Sequence, residues 1–195
     1  MKRIKIALVL AMICLSSAGL KGQDFAVKTN LLYDATATFN AGAEFGVAPS
    51  WTFDISGNFN PWTWANNMKW KHWMLQPELR WWTCNRFTGH FFGVHAIVGQ
   101  YNFGGIKNNL SFLGSDFSRL TDSRFQGWAA GAGVAYGYAL PISKHWNVEF
   151  EAGAGGIWTR FDTFDCSVCN NMTESGTNHI YWGLTKLAIG IVYLF

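Results

Sequence analysis

The chain has 195 residues, of which 49% are hydrophobic, 17% aromatic and only 14% charged, with 11 Trp and 21 Gly. That balance excludes a disordered tail, and the length holds one domain with a removable leader but no second large module. The formal net charge of +3 is too small and too localised, at the first residues, to form the basic footprint of a nucleic-acid binder.

The first stretch places Lys2, Arg3 and Lys5 before an apolar run from Ile6 to Leu15, followed by Ser16, Ser17, Ala18 and Gly19. This is the three-part layout of a secretory signal peptide, and the run is far shorter than the roughly 20 residues of a spanning helix. Cleavage after Ala18 and after Gly22 satisfies the small-residue requirement equally well. Cys14 follows the bulky Ile13 where a lipobox has a small residue, so it belongs to the leader. We expect residues 1–22 as signal peptide and 23–195 as the mature domain. Removal of Lys2, Arg3, Lys5 and Lys21 leaves eleven Lys and Arg against twelve Asp and Glu, a mature charge of about −1.

Beyond the leader no apolar stretch reaches the length of a transmembrane helix, and the period is two. Strands are expected at Phe25 to Asp34, Ala41 to Val47, Trp51 to Phe59, Trp73 to Trp82, His90 to Gln100, Gln126 to Leu140, Trp146 to Trp158 and Ile180 to Phe195. In the third, Trp51, Phe53, Ile55 and Phe59 alternate with Thr52, Asp54, Ser56 and Asn58. In the sixth, Trp128, Ala130, Val134 and Tyr138 oppose Ala129, Gly131, Gly133 and Gly137. The seventh sets Trp146, Val148 and Phe150 against Asn147, Glu149 and Glu151.

Three features decide which face meets which medium. The apolar faces are bracketed by aromatics: Trp51 with Phe59, Trp73 with Trp81, Trp128 with Tyr138, Trp146 with Trp158, and Tyr181 with Tyr193. At about 3.3 Å per residue and a tilt near 40°, these separations cover roughly 20 to 30 Å, the height of a lipid band between two girdles. The polar faces are rich in Gly, Ala, Asn and Ser and carry charges of both signs, as a narrow interior requires. The connections near Pro49, Cys84 to Phe87 and Pro141 to Lys144 are short, while those from Asn60, Tyr101 and Arg160 are long. A soluble β-sandwich or ligand-binding barrel with its apolar face inward is the competing architecture.

The pattern therefore predicts an all-β fold, an eight-stranded antiparallel up-and-down transmembrane β-barrel with short periplasmic turns and longer outer loops. Its interior polar network comprises Lys28, Glu44, Asp54, Glu78, Arg80, His95, Glu149, Glu151 and Lys186. Its aromatic girdle comprises Trp51, Trp73, Trp81, Trp128, Tyr138, Trp146, Trp158, Tyr181, Tyr193 and Phe195, with Trp62 and Trp70 read as further girdle. The row Leu187, Ile189, Ile191, Tyr193 and Phe195 ends on a terminal aromatic, the form of a recognition signal for the barrel-assembly machinery. Outer-membrane lipids are the expected surroundings, a cell-surface protein the expected partner of the outer loops, and an eight-stranded packed lumen implies little or no conductance.

Particular words carry a family likeness: KTNLLYD at Lys28–Asp34, NPWTW at Asn60–Trp64, KWKHW at Lys69–Trp73, QPELRWW at Gln76–Trp82, GHFFGVH at Gly89–His95 and YNFGG at Tyr101–Gly105. With RFQGW, CSVC and LTKLAIGIVYLF, they resemble a domain-of-unknown-function family of small outer-membrane barrel proteins from Bacteroides-type Gram-negative bacteria. The resemblance covers nearly all the mature chain. It implies an envelope location and, since some members are encoded near fimbrial components, a role in surface assembly. It assigns no activity, no cofactor and no catalytic residue.

Cys166 and Cys169 are read as a loop disulfide, ahead of half a zinc site completed by His179 or Asp165, because zinc needs four ligands. Cys84 lies at the opposite end and cannot reach them. A lipid-modifying hydrolase or acyltransferase is the alternative function, for which the candidate groups are a lumen-facing His95 with Ser56, Glu78 and Glu149 within reach. Mutual satisfaction inside a packed barrel is the simpler account of the same groups, and no metal or cofactor is expected.

Overall fold

The computed structural model describes residues 24–106, 111–112, 115–116, 120–121, 123–166 and 171–195. The expected leader at 1–22 and Cys169 lie outside them. Eight strands form a closed barrel: β1 (Phe25–Asn30), β2 (Phe39–Ala48), β3 (Trp51–Asn60), β4 (Lys69–Trp82), β5 (Gly89–Gly104), β6 (Arg124–Pro141), β7 (Trp146–Phe164) and β8 (Met172–Leu194). Each pairs antiparallel with its sequence neighbours, and β1 closes the ring on β8 with Ala26 opposite Leu194 and Asn30 opposite Gly190. A small separate sheet pairs Ser111–Phe112 with Ser115–Asp116.

The strands run further than the apolar alternation, because ladder pairing persists beyond the aromatic positions. β4 begins at Lys69, opposite Gly104, and β7 reaches Phe164, opposite Arg124. β1 is shorter than expected, because Asn30 ends it. The Asn30 side chain accepts from the Leu32 backbone N–H at 3.1 Å and so caps α1 (Leu31–Ala35). The same carboxamide donates to the Leu187 carbonyl at 3.1 Å, tying the cap to β8.

Short turns and both ends of the ring lie at one end, and the longer connections lie at the other. Inside the barrel at the short-turn end, Ala26, Trp82, Phe87, Phe91, Ala139, Val192 and Leu194 form a buried apolar plug. Phe87 takes a left-handed φ of 62°, a strained conformation for an aromatic residue, and places its ring 6.0 Å from that of Trp82. Burial of each Phe side chain contributes about 1.5–3 kcal/mol, enough to hold such a turn. The polar-face reading missed this plug, whose residues sit at the ends of otherwise polar rows.

The two faces of the ring are inverted relative to a soluble barrel. Glu44, Asp54, Glu78, Arg80, Glu149 and Glu151 are buried, whereas Phe53, Val134 and Phe150 are exposed. Trp51, Trp73, Trp81, Trp128, Tyr138, Trp146, Trp158 and Phe195 lie on the exposed face, with Tyr193 partly covered among Trp146 and Phe195.

Two aromatic assignments are corrected. Tyr181 pairs with Ile157 on the inward face, because a bulge between Leu184 and Lys186 inserts Thr185 and reverses the alternation of β8. Trp182 takes the outward place instead: it is 70% exposed and lies over Gly156, where an added Cβ would meet its ring at 2.9 Å. Trp70 also points inward, stacked on Phe103 with centroids 4.9 Å apart, so it is no part of a girdle.

Candidate functional site

The interior charges come from seven strands, since every strand contributes alternate residues to the same narrow space. β4 supplies Glu78 and Arg80, β7 supplies Glu149 and Glu151, and β1, β2, β3 and β8 supply Lys28, Glu44, Asp54 and Lys186. His95 comes from β5. All lie in the barrel's polar interior.

Arg80 is the hub. Its Nη1 donates to Glu44 at 2.8 Å and to Glu149 at 3.0 Å, its Nε to Glu78 at 3.0 Å, and its Nη2 to Glu151 at 2.7 Å. Only a planar guanidinium offers donors in enough directions to reach four carboxylates from one position. Lys28 bridges Glu44, Asp54 at 2.7 Å and Glu149 at 3.2 Å, while Lys186 bridges Glu78 and Glu151, the latter at 3.0 Å. Close packing needs small neighbours: a Cβ on Gly93 would sit 2.1 Å from Glu78 Oε1. The gap left among these side chains is about 30 Å³, room for about one water.

His95 shares a hydrogen bond with Thr185 at 2.9 Å through Nε2, while Nδ1 has no hydrogen-bond partner. The structure therefore brings His95 to the bulge residue of β8 for its side-chain hydrogen bond, and it also sets Glu78, one of the three expected neighbours, directly opposite His95 in the β4–β5 ladder. Glu149 and Glu151, at i and i+2 on one face, are separated in charge by Arg80 between them, with Lys28 on the first and Lys186 on the second. The chemistry on display is the pairing of buried ions, three cations among five carboxylates, which is costly to break once one member is lost.

The long-loop end carries the other candidate surface. Trp62 and Trp64 are exposed, and Trp62 Nε1 donates to the Ala37 carbonyl at 2.8 Å, joining the β3–β4 connection to the turn after α1. Between β7 and β8, Asp165 accepts from Asn171 at 2.6 Å and from Thr173 at 2.8 Å. These donors, Thr173 foremost, hold its carboxyl below the usual range. Cys166 in the same connection is disulfide-bonded, which removes it as a metal ligand, and Cys84 at the short-turn end is a free, exposed thiol. Among the described residues no group of His, Cys, Asp and Glu is arranged to hold a metal ion.

Over residues 7–195 the chain matches a protein family described as protein of unknown function (DUF3575). No curated protein matches the chain.

Proposed function

The chain belongs to that family of unknown function, and from this premise we propose that it is a small integral outer-membrane barrel of a Gram-negative bacterium, acting as a structural or interaction protein through its outer loops. The observation that carries the proposal is the inversion of faces. Val134, midway between Trp128 and Tyr138, is 63% exposed, while Arg80 inside the same ring is 1% exposed. A water-soluble barrel would lose free energy on both counts, by wetting an apolar band and by enclosing a costly charge cluster. In a bilayer the band meets acyl chains, and the closed ring pairs every strand edge.

In this reading the short-turn end faces the periplasm and the long-loop end faces outward. Leu187, Ile189, Ile191, Tyr193 and Phe195 present the terminal strand to the assembly machinery. The plug and the charge cluster make the barrel an anchor and not a pore. Function then falls to the connections at 61–68, 105–123 and 165–171, with Trp62 and Trp64 as contact aromatics for a cell-surface or fimbrial protein.

Fractionation of the native host tests the location: the protein should remain in the outer-membrane pellet and migrate faster in gels before boiling than after. Recovery in the soluble periplasm or medium sinks the reading. Surface cross-linking of intact cells tests the role, with a variant whose 61–68 connection is replaced by a two-residue turn. The wild type should capture a defined envelope protein that this variant does not, at equal barrel abundance.

A further inference from the structure

Above the charge cluster, towards the long-loop end, the interior opens into a chamber of about 450 Å³. Its wall includes Tyr33, Met74, Ile97, Tyr101, Ala129 and Ile157, and Lys186 stands at its base. One side is an aromatic stack: Phe103 lies against Trp70 at 4.9 Å and Tyr101 at 5.3 Å with planes inclined by 29° and 24°, and His72 stands edge-on at 5.9 Å. Such a lining is unlike the charged middle of the barrel directly below it. A concave space of this size with apolar walls and a few polar points has the form of a small-molecule site.

We infer that this chamber binds a small neutral molecule with a flat apolar body and one hydrogen-bond acceptor. The aromatic stack takes the flat body. Lys186 has three donor hydrogens; it donates one to Glu78 and ion-pairs with Glu151 at 3.0 Å, which leaves donor capacity for an acceptor arriving from the chamber. Neutrality follows from the charges below: the cluster sets three cations against five carboxylates, so an anion meets net negative charge. A cation would meet the Lys186 ammonium first. The ligand enters and leaves by one end only, because Trp82, Phe87 and Phe91 close the other. The site is thus a receptor or carrier pocket, and it goes beyond the loop contacts proposed above because it needs only the closed barrel.

Benzophenone is a suitable probe, being a neutral diaryl ketone that inserts into nearby C–H bonds under light. The full mature protein, extracted in detergent, is irradiated with increasing probe and the adducts are mapped by mass spectrometry. The expected result is saturable labelling of Met74 or Ile97, alongside non-saturating labelling of exterior residues such as Leu79 and Val94. In Ala129→Trp, and independently in Ile97→Trp, the added ring fills the chamber, and the Met74 adduct should fall at least tenfold while exterior adducts persist. Labelling confined to the exterior in the wild type overturns the inference whatever the variants do. Chamber labelling unchanged in a filled variant that still migrates as a folded barrel overturns it too.

Discussion

The guanidinium carbon of Arg80 lies 4.4 Å from the centroid of the Phe91 ring, at the boundary where the charged middle of the barrel meets its apolar plug. One side chain thus satisfies four carboxylates and also caps an aromatic face. Arg80→Met should leave five interior carboxylates with two lysines and cost about 3–5 kcal/mol, the usual penalty for orphaning buried charge. Arg80→Lys should recover little, because an ammonium cannot fork toward Glu44, Glu78, Glu149 and Glu151 together. Adding Glu149→Gln to Arg80→Met should restore part of the loss. Urea titration followed by the fast-migrating folded band measures all three, and a wild-type midpoint in Arg80→Met removes the hub role.

The medium around the barrel can be tested with one matched pair. Val134 and Ile142 are 63% and 62% exposed, but Val134 sits at mid-height of β6 and Ile142 in the short turn beyond it. Val134→Arg should cost about 2–4 kcal/mol of stability in lipid vesicles, as an arginine does at a bilayer midplane, and Ile142→Arg about 0–1 kcal/mol. Equal, negligible costs at both positions would mean that water surrounds both.

The bulge in β8 makes a prediction about deletions. Removing Thr185 brings Leu184 and Lys186 into ordinary succession, so Leu184 stays outward and Lys186 inward. That variant should assemble, losing only the Thr185 bond to His95. Deleting Ile189 instead flips every residue on one side of the cut and should abolish assembly. Heat-modifiable migration reads both, and failure of both deletions alike would show that the bulge has no such slack.

The same bulge marks where sequence reading stops. Alternation placed nearly every interior charge, because an ion on the wrong face of a strand costs several kcal/mol and period two admits no compromise. Tyr181 was misplaced because Tyr181 and Trp182 are both aromatic and either fits an apolar row. Only the extra Thr185 distinguishes them, and its signal is a lost beat in a row where both registers are plausible. α1 escaped for a related reason: Leu31, Leu32 and Tyr33 can continue a strand, and the Asn30 cap that stops it depends on Leu187, far along the chain. The plug at Trp82 and Phe91 was hidden because apolar residues end polar rows only where the lumen closes. The individual ion pairs follow from the register between neighbouring strands, which the up-and-down order alone does not supply.

Cys84 reports the direction of insertion. It is a free, exposed thiol at the short-turn end, while Cys166 is disulfide-bonded at the long-loop end. In intact cells a membrane-impermeant maleimide should leave Cys84 unlabelled, and lysis without reductant should expose it while Cys166 stays protected. Labelling of Cys84 from outside would place the short turns at the cell surface.

Tyr33 gives the chamber a spectroscopic handle. Burial pushes its phenol up to about 12, from the ordinary value near 10, because the ionised form would lose its hydration. An unfolded chain releases this proton near pH 10, so between about 10 and 12 the folded state holds more protons than the unfolded state. The contribution of Tyr33 to stability is therefore flat below pH 10 and falls as pH rises through that window, by at most about 3 kcal/mol. Tyr33→Phe should delete a late-ionising component from the ultraviolet titration. It should also flatten the alkaline decline of the unfolding midpoint relative to the wild type. If the difference titration between the two proteins shows the lost phenol ionising near pH 10, Tyr33 is in water and is no part of the chamber wall.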